Sequence, residues 1–152
     1  MKSMYEQCIK HIQSHLHIYY EKDLIIDPNA GNTEFMSGLQ TLAKMGLFYN
    51  KNPVLPHVNQ LDFCEIDFAK YDKTYLSGLW YDDVHVISQP PPEQVDQFIE
   101  AACKFAKSVS FIMPITAQYV FPPNYKCLFT TYFENELVFQ IHFCKSVAKP
   151  RM

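Results

Sequence analysis

Short apolar runs alternate along this chain with longer stretches whose apolar residues recur every three or four positions. Leu24-Ile25-Ile26, set between Asp23 and Asp27, is followed by a periodic stretch from Thr33 to Met45. Val84 to Ile87 is followed by another from Pro92 to Lys107, and then by the apolar run Val109 to Met113. Strand patterns alternating with helical ones force helices to cross over a largely parallel sheet, because consecutive parallel strands need a long connection. The alternation breaks near the end of the chain. Cys127 to Phe133 and Leu137 to Phe143 flank Glu134-Asn135-Glu136, the pattern of an antiparallel hairpin. The expected fold is therefore α/β: a Rossmann-like sheet with helices on both faces and a C-terminal antiparallel hairpin.

The other segments fit that frame. Ser3 to Tyr20 predicts a helix with Tyr5, Cys8, Ile9, Ile12, Leu16 and Tyr19 on one face, and Ser3 with Glu6 forms a capping box. Gly46 is placed to end the helix over Thr33 to Met45. Leu47 to Tyr49 predicts a second strand and Val58 to Phe63 a third. Tyr71 to Leu79 is left as loop or short helix. Prolines at the start of the Pro92 to Lys107 helix sit where the missing N–H is harmless. No repeat or linker interrupts residues 1–152, which suits a single domain.

Composition closes off several classes. A net charge of -3 gives no global drive onto nucleic acid, and no lysine or arginine run supplies a local one. Five cysteines, an odd number without a C-x-x-C pair, suit reduced and mostly buried thiols in an intracellular, cytoplasmic protein. The charged, histidine-containing N-terminus does not suit a signal peptide, and no apolar run suits a membrane span. His11 and His15 lie four apart on the first helix, but no third ligand is evident, so they suit a solvated face better than a metal site. Ser88 lacks a G-x-S-x-G setting, and no P-loop lysine motif occurs. Asp82-Asp83 suits a solvated turn. His57, His85 and His142 suit core or loop positions. Trp80, Tyr119, Phe121 and Tyr125 suit the core first and an exposed aromatic interface second.

In an open α/β sheet, ligands bind beyond the carboxyl ends of the strands at the point where strand order reverses. Three segments should gather there: "DPNAGN" from Asp27, "DF" at Asp62-Phe63, and "SQPPP" from Ser88. In this order and spacing they resemble the class I S-adenosylmethionine-dependent methyltransferases, in the branch that methylates the exocyclic amine of adenine. "DPNAGNTEF" resembles that family's cofactor loop, "QLDF" the segment facing the cofactor's adenine, and "VISQPPP" the Asn/Asp-Pro-Pro-Tyr/Phe motif. "LVFQIHF" resembles the terminal hairpin strand. The likeness spans about residues 20 to 145. It implies Asp27, Ala30, Gly31, Asn50, Asp62 and Phe63 as cofactor-binding positions and Gln89, Pro90 and Pro91 as the catalytic loop.

The chain departs from that pattern at positions the chemistry uses. Thr33, followed by Glu34, stands where the family has a second glycine that lets the cofactor lie against the backbone. "YNKNP" has Asn50 or Asn52 where an acid would hold the ribose hydroxyls, without the strength of a charged acceptor. Gln89 replaces the amine-accepting Asn/Asp. Its extra methylene moves the acceptor by about an ångström, enough to cost roughly 100-fold in rate. Pro92 replaces the aromatic that stacks on the target base, a contact worth about 1–3 kcal/mol. The chain also shows no target-recognition region.

These departures point away from an enzyme. The expectation is a degenerate, catalytically inactive methyltransferase-fold protein acting as an interaction or structural component of a larger assembly, a virion being one such setting. Protein partners or self-association would then be needed, with no cofactor expected. The alternative is an active N-methyltransferase on adenine in nucleic acid or on another amine or amide, using S-adenosylmethionine. Nucleic acid enters only with that activity or through a partner. A third reading is ordinary loops that never bound a cofactor.

Overall fold

The computed structural model describes residues 3–65, 81–115 and 126–143, with the side chains of 126–129 left aside. Helix α1 (Met4–His15) precedes β1 (Leu24–Asp27), α2 (Thr33–Leu39), β2 (Met45–Asn50) and β3 (Asn59–Gln60). After these come β4 (Val84–Ser88), a 3-10 turn (Pro92–Gln94), α3 (Val95–Cys103), β5 (Ser108–Pro114), β6 (Lys126–Phe133) and β7 (Glu136–His142). The strands form one sheet in the order β3-β2-β1-β4-β5-β7-β6. β3 through β5 run parallel, and β7 pairs antiparallel with both β5 and β6. The expected Rossmann-like sheet and C-terminal hairpin are both present.

Side-chain alternation sends the residues of the central strands to two separate cores. Leu24, Ile26, Val86, Val109 and Phe111 pack beneath α3, which contributes Val95, Phe98, Ile99 and Ala102. Ile25, Ile87, Ile112 and Val138 pack beneath α1 and α2, which contribute Cys8, Ile9, Ile12, Phe35 and Leu39. Burying each Val, Leu, Ile or Phe side chain among these contributes about 1.5–3 kcal/mol. α1 and α2 meet at Gly38, where an added Cβ would collide with the Ile9 side chain.

Several boundaries differ from those the sequence predicts. α1 ends at His15 rather than reaching Tyr20, because Leu16 turns to an extended conformation. α2 ends at Leu39, and Met45 and Gly46 belong to β2, paired with Leu24 and Ile25. Gly46 is therefore a strand residue under the Phe48 ring and not a helix cap. The third strand shrinks to Asn59–Gln60, since the chain turns just beyond it, where Asp62 Oδ1 accepts the Cys64 N–H. Tyr71 to Leu79, Trp80, Tyr119, Phe121, Tyr125, Cys144 and the 145–152 tail lie outside the described residues.

The histidines divide by environment. His57 is exposed in a left-handed conformation, with φ 68°. His11 packs edge-on against Phe133. His85 is fully buried: its Nε2–H donates to Asp23 at 3.0 Å and its Nδ1 accepts from the Ser108 hydroxyl at 3.0 Å. That tautomer follows from the partners, since a carboxylate can only accept. Burial depresses the His85 imidazole below its ordinary value, more strongly than Asp23 raises it. The contact is thus a hydrogen bond from a neutral ring. Asp23 also accepts the backbone N–H groups of Tyr19 and Asp83. Among the described residues no group of three metal-ligating side chains comes together, and no helix is long and apolar enough to cross a membrane.

Candidate functional site

β1 lies between β2 and β4, so the chain reverses direction across the sheet there, and the loops leaving β1 and β4 open a crevice at their carboxyl ends. A cleft of ≈ 160 Å³ occupies it. Pro28 and Asn29 border it after β1, Asn50 and Lys51 after β2, Asp62 and Phe63 after β3, and Pro91 beyond β4. The elements sequence reasoning named therefore converge. Asn50, Asp62, Phe63 and Pro91 line the cleft, whereas Asp27, Ala30, Gly31, Gln89 and Pro90 stand outside its lining.

Asp27 is the buried foundation of the first loop. Its Oδ1 accepts the Ser88 hydroxyl at 2.6 Å and the Asn29 N–H at 3.1 Å, joining the ends of β1 and β4. Burial pushes its carboxyl up to about 7 despite both hydrogen bonds. Above it the loop is held by asparagines. The Asn29 amide donates to the Gln89 backbone carbonyl at 2.7 Å. The Asn50 amide donates to the Ala30 carbonyl at 2.9 Å and approaches Asn29 Oδ1 at 3.4 Å. Asn50 Oδ1 accepts the Asn52 N–H, and the Ala30 N–H donates to the Tyr49 carbonyl. Both ends of the Asn50 side chain are thus engaged within the protein.

Asn32 caps α2 by accepting the Phe35 N–H, which leaves Thr33 and Glu34 exposed in the helix's first turn. Gly31 is exposed, and an added Cβ would meet nothing closer than the Asn50 amide at 3.9 Å. No internal crowding demands glycine there, and the backbone stays open to an approaching group.

The "SQPPP" loop is rigid but turned inward. The Gln89 amide donates to the Tyr5 hydroxyl of α1 at 3.2 Å. Pro90 is buried, Pro91 half-buried and Pro92 exposed at the start of the 3-10 turn. On the other side of the cleft, Asp62 Oδ1 accepts the Cys64 N–H, and Oδ2 faces Lys51 Nζ at 3.6 Å. Phe63 packs against Phe98 with ring centroids 5.4 Å apart.

Sequence reasoning missed Asn29, Lys51, Gln94 and Phe98, all of which border this cleft. Asn29 was visible in "DPNAGN" as a turn residue, but nothing local showed that its amide reaches a carbonyl 60 residues away.

The resemblance implies S-adenosylmethionine. The described cleft, ≈ 160 Å³, is smaller than the roughly 300–1,000 Å³ of sites that enclose ligands of that size, so it would enclose only part of the molecule. Asn50, in the ribose position implied by the resemblance, has its amide committed to Ala30. Asp62 with Phe63 suits only the base end.

No family model matches this chain, and no curated protein sequence matches it. Solved structures do. A Haemophilus influenzae protein assigned as a methylase superposes with a TM-score of 0.61 at 13% identity, covering 92% of this chain and 98% of its own. The Escherichia coli protein yhhF, assigned as a methyltransferase, gives 0.59 at 7% identity over 94% and 87%. The 23S rRNA methyltransferase ErmE gives 0.60 at 9% identity over 96% and 70%. Likeness at such low identity establishes architecture: this chain has the Rossmann-like α/β fold of the methyltransferases.

Proposed function

We propose that this chain, read as one domain over residues 1–152, is a methyltransferase-fold protein that no longer transfers methyl groups and acts by binding, as an interaction or structural component of a larger assembly. The observation that carries this is the closed state of the Gln89 loop. Its backbone carbonyl is taken by the Asn29 amide at 2.7 Å, and its side chain is turned onto Tyr5. A target amine needs those acceptors pointing outward. Here the backbone carbonyl already accepts from Asn29, the side chain is anchored toward α1 through its amide nitrogen, and Pro92 offers no π face for a base.

Calorimetry with S-adenosylmethionine, together with transfer of labelled methyl to adenine-containing DNA and RNA, tests the reading. Neither binding nor transfer is expected. Micromolar binding with transfer would overturn it. Native mass measurement should show self-association or a larger complex with a protein partner, and a lone monomer in its native extract would count against the assembly role.

A second reading has two observations in its favour. Gly31 leaves its backbone open, and Asp62-Phe63 keeps an acceptor beside an aromatic wall. Both suit an active S-adenosylmethionine-dependent N-methyltransferase on adenine or another amine. A Gln89→Asn, Pro92→Tyr double variant separates the two readings. Gain of transfer would show that only the target side was lost.

A further inference from the structure

The amino ends of the strands, opposite the cleft, carry a rigid turn that bears two tyrosines. The Asp23 carboxylate accepts the Tyr19 N–H at 3.0 Å, and the Tyr19 carbonyl accepts the N–H groups of Lys22 at 3.0 Å and Asp23 at 2.9 Å. The turn is also tied to both neighbours. The Lys44 N–H donates to the Tyr20 carbonyl at 2.8 Å, and the Asp82 N–H donates to the Lys22 carbonyl at 2.7 Å. On this fixed backbone Tyr19 is 53% exposed and Tyr20 47%. His17 packs edge-on against the Tyr19 ring with centroids 4.2 Å apart. Two adjacent large rings left half in water on an anchored turn suit an interface core, because they bury area on binding and lose little freedom.

The charges beside the turn select what covers it. β1 has β2 on one side and β4 on the other. Lys44, just before β2, and Asp82, just before β4, therefore flank the turn on opposite sides, each at roughly the 4.8 Å strand spacing. Both are exposed. Lys44 pairs with Glu21 at 3.8 Å, with both side chains mostly in water, so that pair is weak and exchangeable. A two-fold axis through the turn and perpendicular to the sheet swaps its two sides. Lys44 of one copy then meets Asp82 of the other, twice, around the tyrosines. An axis running across the strands in the plane of the sheet would set lysine on lysine and aspartate on aspartate. The pattern fits a second copy of this chain, in one orientation.

We infer that the amino-end face is a two-fold self-association interface, with Tyr19 and Tyr20 packed at the axis and Lys44 of each copy on Asp82 of the other. The inference rests on the binding reading above and names a partner and a surface for it. The cleft lies at the opposite ends of the strands and stays open in such a dimer.

Sedimentation equilibrium of the purified full chain tests it. A dimer is expected, with a dissociation constant that rises as salt is added. The Tyr19→Ala, Tyr20→Ala double variant should weaken it about tenfold or more, with circular dichroism checking that the fold is kept. Lys44→Asp and Asp82→Lys should each weaken it about tenfold. An equimolar mixture of those two single variants should dimerise as tightly as the parent, and native mass measurement should find the mixed pair. Mixing restores opposite charges at both contacts, whereas it cannot repair a variant that fails to fold. A monomer at about 0.1 mM would overturn the inference. So would a dimer indifferent to these substitutions, or a mixture no tighter than the single variants. Each of these leaves the non-catalytic reading standing with another protein partner. Methyl transfer by the dimer would instead overturn that reading and leave the interface.

Discussion

The Asn29 side-chain amide donates to the Gln89 backbone carbonyl at 2.7 Å, tying the loop after β1 to the loop after β4. Asn29→Ala should cost about 1–2 kcal/mol, because it strips a half-buried carbonyl of its donor and also removes the neighbour of the Asn50 amide. Urea denaturation at neutral pH measures the loss. Asn29→Asp should cost more, since a carboxylate would face the carbonyl oxygen.

Asp27 makes stability depend on pH in an unusual direction. Its carboxyl ordinarily titrates at 3.8 and is pushed up to about 7 by burial. The folded protein therefore holds a proton there that the unfolded chain releases. The corresponding stability is fully present below about pH 4 and is lost as pH rises through 7. Asp27→Asn keeps an acceptor for the Ser88 hydroxyl and the Asn29 N–H without the buried charge. At pH 8 it should be more stable than the parent by on the order of a few kcal/mol, with the gap narrowing toward pH 4. Thermal melts across that range read both slopes.

His85 acts with the opposite sign. Its folded value lies below the ordinary 6.5, so the unfolded chain binds the proton first. Stability is complete above 6.5 and falls as pH drops below it. His11 and His142 are depressed by burial as well and add to the same slope. In an Asp27→Asn background, His85→Gln should flatten part of this acid limb and leave the share of the other two histidines. An acid limb of unchanged steepness would show that His85 does not titrate there.

Asp23→Ala should be among the most damaging single changes. It removes the acceptor of the His85 ring and of the Tyr19 and Asp83 N–H groups at a site that water does not reach. About 3 kcal/mol or more should be lost, read as a fall in the denaturant midpoint.

Glu134 holds φ 54° in the turn between Phe133 and Glu136. A left-handed conformation costs an L residue roughly 1–2 kcal/mol, and glycine adopts it freely. Glu134→Gly should raise stability by about 1 kcal/mol in the same denaturation assay, net of glycine's greater unfolded freedom.

The sheet and its two-sided cover were legible because apolar periodicity reports burial directly. Leu24-Ile25-Ile26 and Val84 to Ile87 are buried on both faces and contain no alternation to confuse with an edge strand. β2 was harder, since Met45 and Gly46 continue the helical pattern of Phe35 and Leu39 and are drawn into the strand by pairing with Leu24 and Ile25. The convergence of Asn50, Asp62, Phe63 and Pro91 followed from topology, which a strand–helix order implies. The bonds from Asn29 to Gln89 and from Asp23 to His85 did not, because hydrogen bonds across such separations leave no local periodicity.

Asp23 and Asp27 have a further consequence for assembly of the sheet. They bracket β1, and each binds a residue at the matching end of β4 or its lead-in: Asp83 and His85 at the start, Ser88 at the finish. The three apolar residues between them are nearly interchangeable as packing, so hydrophobic burial alone would tolerate β1 sliding along its neighbour. Displaced by one residue, both acids would face the opposite core without a donor. The two carboxylates thus work as end stops on a rule, fixing the alignment of the central strands to a single notch.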